Sequence, residues 1–131
     1  MRPWVEVFIV FVVSHIVGDY LLQTEWQALH KRGGLAGTPE MRRALYSHIG
    51  TYTLAFVPGL IWLAARDHFW VFGVAALVAI PHLIQDDGTL LYRYSLVVKK
   101  ADIRANPSLG AALDQSFHLL ALFGLALLAG S

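Results

Sequence analysis

The sequence predicts an all-α integral membrane protein, an up-down bundle of four transmembrane helices that forms a single domain over residues 1–131. Three observations lead there: four long apolar stretches, helix-start signals before two of them, and too few polar residues to cover a water-soluble globule. Hydrophobic residues make up 56% of the chain and charged residues 15%, with a mean hydropathy of +0.55. Lipid must cover what water cannot.

The first span runs from about Trp4 to Leu22. His15 and Asp19 interrupt it and no small-x-small cleavage site follows, so it reads as mature helix and not as a secretion signal. The second covers Ala44 to Ala65, behind Thr38-Pro39, a capping side chain ahead of a proline at the first helical position. The third, Phe69 to Ile84, is the shortest, and Pro81 within it removes one helix hydrogen bond. The fourth, Leu109 to Ala129, follows a second cap of the same kind, Asn106-Pro107. Each is near the ~17–25 residues that a spanning helix requires. Trp4, Trp62 and Trp70 mark one set of span ends, and Trp26, Tyr46 and Tyr92 the other, as amphipathic rings do at headgroup depth. Gly50, Gly59, Gly73 and Gly124 read as close helix-packing positions.

Basic residues in the connections set the orientation. Lys31, Arg32, Arg42 and Arg43 cluster between spans one and two, and Arg93, Lys99, Lys100 and Arg104 between spans three and four; the short turn after span two has only Arg66 beside Asp67. Both long connections are expected on the cytoplasmic side and the termini opposite, with Arg2 as a minor dissenting charge. Thr89 to Val98 mixes apolar residues with Tyr92, Arg93 and Tyr94, which suits a segment lying at the interface. A net charge of +1 argues against a nucleic-acid partner, and the absence of cysteine leaves nitrogen and oxygen as the only metal ligands.

Ionisable residues inside a span are costly and therefore informative. The informative ones are seven: His15, Asp19, His48, His82, Asp86, Asp114 and His118. His15 with Asp19, His82 with Asp86, and Asp114 with His118 are spaced i, i+4, which stacks each pair on one helix face. Spans one and three read His then Asp, whereas span four, running the same way as span two, reads Asp then His. In space the reversal cancels, so each aspartate lies nearer the cytoplasmic surface with its histidine ~6 Å deeper. His48 joins the deeper layer, with Ala44 one turn shallower. Imidazoles and carboxylates converging from facing helices are the ligand set for zinc, manganese or iron, one or two divalent ions, in a bundle core. Water on such ions would be the nucleophile of a hydrolysis. Gln23, Tyr52 and Gln115 are positioned to support the ligands by hydrogen bonds, while Asp87 is expected to be exposed.

These segments resemble a known family. His15-x-x-Gly18-Asp19-Tyr20-x-Leu22-Gln23, His48-x-x-x-Tyr52, His82-x-x-x-Asp86 and Asp114-Gln115-x-x-His118 are similar to those of the bacterial membrane domain of unknown function 3307 family, over nearly the whole chain. The resemblance implies a bacterial inner (cytoplasmic) membrane location and a conserved kind of site, but no activity. More loosely, the His and Asp helices look like those of membrane-bound metal-dependent hydrolases of the helical zinc phospholipase type.

The reading of the sequence is a membrane-embedded metal-dependent hydrolase acting at the cytoplasmic side on an anionic or lipid-like small molecule, with no protein nucleophile. A proton- or ion-coupled transporter subunit or channel using the same His/Asp cluster is the alternative, since carboxylate and imidazole chains also carry protons. A plainer possibility is that the polar pairs only hold the helices together, as in a membrane anchor that assembles with a partner.

Overall fold

The computed structural model describes residues 3–66 and 70–131. Arg2, Asp67, His68 and the expected start of the third span at Phe69 lie outside the described residues. Helix α1 (Pro3–Ile16) continues into a π-helical turn, Val17–Leu22. A short α2 (Glu25–His30) and a loop lead to α3 (Pro39–Ala64); then come α4 (Val71–Asp87), α5 (Thr89–Val97) and α6 (Pro107–Ala129). The fold is all-α.

Both expected helix starts are capped as the sequence indicates. Thr38 accepts a hydrogen bond from the Met41 amide at 3.3 Å, and Asn106 accepts one from the Leu109 amide at 3.1 Å, each ahead of a proline at the first helical position. Helix α2 was not foreseen, although Thr24-Glu25-Trp26-Gln27 is a reciprocal capping box that could have announced it. Gly88, at φ +77°, ends α4, and α5 leaves at 60° to it. The expected interfacial segment is thus helical, with its direction set by a residue that tolerates the left-handed region.

Four long helices share one core. Helix α1 packs against α3 and α6, and α4 packs against the same two. Phe11 of α1 meets Phe56 of α3, while Trp4 and Phe8 meet Phe123 of α6, so α1 runs antiparallel to both. Val7, Phe11, Phe56, Leu60, Val74, Val78 and Leu122 fill one half of the interior; the polar residues fill the other. Outward-facing Val13, Leu54, Ile61, Phe72 and Leu120 are each more than half exposed, an apolar surface that lipid would cover.

By length and apolarity, Pro3–Leu22 and Pro107–Ala129 can each cross a membrane, and α4 with α5 makes a third if the bent pair is one span. This is narrower than the four spans expected, because Ser47, His48, Thr51, Tyr52 and Thr53 dilute the apolarity of α3. Its hydroxyls are not left bare: Thr51 and Thr53 donate to carbonyls one turn back, which satisfies them within the helix. The glycine expectation also needs correction. A Cβ on Gly59 would lie 2.7 Å from Val10 of α1, as close packing requires, but Gly50 and Gly124 face open space and Gly73 meets only Trp70 at 3.4 Å. Helix α4 continues unbroken through Pro81.

Candidate metal centre

The π-helical turn brings Asp19 inward. Single π turns are rare and cluster at functional sites, because one extra residue per turn re-aims a side chain. Gly18 makes the approach possible: a Cβ there would sit 2.6 Å from Cδ2 of Tyr52 and 3.3 Å from its Cα. Rotating the ring cannot relieve a contact that includes backbone. Gly18→Ala is therefore expected to destabilise the protein by about 1–3 kcal/mol, read as a lowered unfolding temperature in detergent; an unchanged value would mean that the two helices can separate freely.

Four buried side chains meet beside this turn. Nε2 of His48 lies 2.8 Å from Asp86 Oδ2, 3.2 Å from Asp19 Oδ1 and 3.1 Å from Nε2 of His82. Nε2 of His82 lies 3.2 Å from Asp19 Oδ1 and 3.1 Å from Asp86 Oδ2. Hydrogen bonds alone explain this poorly, since two neutral imidazoles bring at most two Nε2 protons to five contacts. A tetrahedral ion with bonds of ~2.1 Å separates its ligands by about 3.4 Å, close to every distance here. The four atoms are spaced as ligands of one cation.

A second group adjoins the first through Asp86. Its other oxygen, Oδ1, lies 3.3 Å from Nε2 of His118. Nδ1 of His118 donates to the Asp114 carbonyl at 2.7 Å, so Nε2 of the neutral ring carries no proton and two lone pairs face each other. Asp114 completes this group, with Oδ1 3.9 Å from Nδ1 of His118. Asp19 Oδ1, Asp86 Oδ1, His118 Nε2 and Nδ1 of His48 and His82 are buried without a well-aligned hydrogen bond. Such orphans are expensive unless something else binds them, and three of the five face the two groups.

A model of the family described as "Protein of unknown function (DUF3307)" matches residues 7–129. The chain belongs to the DUF3307 family. No curated protein and no solved structure matches it at a meaningful level of similarity.

Of the seven candidate ligands of this DUF3307 chain, six fall into the two groups, with Asp86 shared. His15 stands one step back. Its Nδ1 accepts from the Tyr52 hydroxyl at 3.0 Å and lies 3.6 Å from Asp19 Oδ2, and its Nε2 donates to Oε1 of Gln115 at 2.9 Å, so both nitrogens are already engaged. Gln115 in turn donates to Asp19 Oδ2 at 3.4 Å. Tyr52, His15 and Gln115 form a relay that orients Asp19, and the Tyr52 ring lies flat on His82 with centroids 3.4 Å apart. Gln23 touches neither group; it accepts from Nζ of Lys31 at 2.6 Å.

Lys31 is the residue sequence reasoning missed. Counted among the basic residues of a connection, it is only 6% exposed, and its Nζ donates to Asp86 Oδ2 at 2.7 Å. Nothing in the local sequence separates it from Arg32, because the burial is created by a distant element. Asp87, expected at the surface, makes that burial: it is 7% exposed, accepts from the Leu35 amide and from the Thr89 hydroxyl, and its carbonyl accepts from the Gly33 amide at 2.7 Å. The loop after α2 is thereby fastened over the end of α4.

Two clefts open on this half of the molecule, and one of them reaches the site. One of about 470 Å³ between α4, α5 and α6 is lined by Ile80, Pro81, Ile84, Leu90, Leu91, Tyr94 and Phe117, and reaches Asp114. The other, about 550 Å³, has Arg32, Thr89 and Arg104 in its wall.

Proposed function

We propose that the chain is a membrane-embedded, divalent-metal-dependent hydrolase acting at the cytoplasmic side of a bacterial inner membrane. The observation that carries this reading is the convergence of Asp19 Oδ1, His48 Nε2, His82 Nε2 and Asp86 Oδ2 at mutual distances close to a tetrahedral edge. Asp19, His48, His82 and Asp86 would hold one ion, of zinc, manganese or iron; Asp86, Asp114 and His118 offer a place for another. A bound divalent ion supplies Lewis acidity, making water a nucleophile near neutral pH and polarising the bond it attacks.

The chain's own residues do the rest. Asp86, presenting one oxygen to each group, sets the spacing between the two positions. Tyr52, His15 and Gln115 fix the carboxylate of Asp19 by successive hydrogen bonds, as outer-shell partners do for metal ligands. The apolar cleft that ends at Asp114 suits the hydrocarbon part of a lipid-like substrate, and Arg32 and Arg104 suit an anionic group near the membrane surface. In this reading all four long helices span the bilayer up and down as a single domain, with His48 and Tyr52 of α3 buried inside the bundle and both long connections cytoplasmic.

The transporter alternative is less well supported. A conduction route would have to cross the packed half of the bundle, where Phe11, Phe56, Val74 and Val78 are at most 2% exposed. Elemental analysis of protein purified in detergent tests the proposal: a stoichiometric transition metal is expected, and its loss in His82→Ala. Metal-free wild-type protein with pH-dependent ion flux in liposomes would favour the alternative.

A further inference from the structure

The site contains a positive charge of its own. Lys31 Nζ is held by Asp86 Oδ2 at 2.7 Å and Gln23 Oε1 at 2.6 Å, and the loop carrying it is anchored by Asp87 to the end of α4. Asp86 is the only carboxylate within 4.0 Å of Nζ among the described residues, so the ammonium stands off Asp19, the other carboxylate of the four converging atoms. A metal and Lys31 can therefore share Asp86.

Charge balance then restricts occupancy. Asp19, Asp86 and Asp114 contribute three negative charges, Lys31 one positive, and the neutral histidines none, leaving a net −2. Burial in a medium of low dielectric penalises any residual charge. One divalent ion neutralises the site and a second would raise it to +2; without Lys31 one ion leaves −1 and two leave +1, so the charge penalty on the second ion disappears.

We propose that Lys31 acts as a tethered cation that limits the resting site to a single divalent ion, held by Asp19, His48, His82 and Asp86, with the Asp86, Asp114 and His118 position unfilled until the Lys31 charge is removed. This rests on the metal-binding reading above.

The test is to equilibrate wild type, Lys31→Met, Lys31→Arg and Asp114→Asn in detergent with excess Zn²⁺, remove free ion, and measure zinc per folded chain by elemental mass spectrometry. One zinc is expected in wild type, in Lys31→Arg and in Asp114→Asn, and two in Lys31→Met. Two zinc ions in wild type, or one in both wild type and folded Lys31→Met, would overturn the role of Lys31 while leaving metal binding intact; no zinc in wild type would remove the metal reading itself. If Lys31→Met does not fold, Lys31→Gln, which removes the charge but keeps a polar group toward Asp86 and Gln23, is expected to fold with two zinc ions, and one would again overturn the proposal.

Discussion

Asp86→Asn is expected to cost about 3–5 kcal/mol of stability and to abolish metal binding. The stability term does not depend on any metal: the substitution leaves the Lys31 ammonium, 6% exposed, without its only carboxylate partner among the described residues. Removing one member of a buried ion pair costs about this much, because the remaining charge stays desolvated. The double variant Asp86→Asn with Lys31→Met should recover most of that loss, since an apolar replacement of both members of such a pair is often close to neutral. Thermal or denaturant unfolding of the four proteins of this cycle in one detergent measures it. A single variant as stable as wild type would mean that the lysine reaches water.

Metal removal should produce the second large effect. A ligand that binds only the folded chain stabilises it by RT ln(1 + [L]/Kd), about 4 kcal/mol at a thousandfold excess over Kd. Chelator treatment of wild type is expected to lower the unfolding temperature, and readdition of zinc or manganese to restore it. His82→Ala should unfold at a lower temperature than wild type and show no response to chelator, because it removes a ligand atom and the ring on which Tyr52 is stacked. Identical curves for wild type with and without chelator would contradict a resident ion.

The helices were legible in the sequence because their signals are local. Caps at Thr38 and Asn106, apolar runs and the i, i+4 pairs need only a few neighbouring residues, and they located the long helices and six residues of the two groups. His15 was read as a ligand from the same spacing, yet which way a ring nitrogen faces depends on Tyr52 and Gln115, 37 and 100 positions away. Lys31 and Asp87 failed for a similar reason: their burial arises where the loop after α2 folds onto the end of α4, a contact of high sequence separation with no periodic trace. The π-helical turn at Asp19 was likewise invisible, since hydrophobic periodicity does not distinguish one widened turn from an α-helix. Helix α3 falls short of a spanning helix by apolarity because Ser47, His48, Thr51, Tyr52 and Thr53 interrupt its apolar run, and of these only His48 and Tyr52 are buried.

The interior is divided into halves. Aromatic and aliphatic side chains led by Phe11, Phe56 and Val78 close the bundle on one side of the imidazoles. With the helices spanning as proposed, these rings are an insulating floor. Water and ions would exchange with one compartment alone, so that the proposed catalysis at this depth would proceed without a leak of protons and without dissipating the membrane potential.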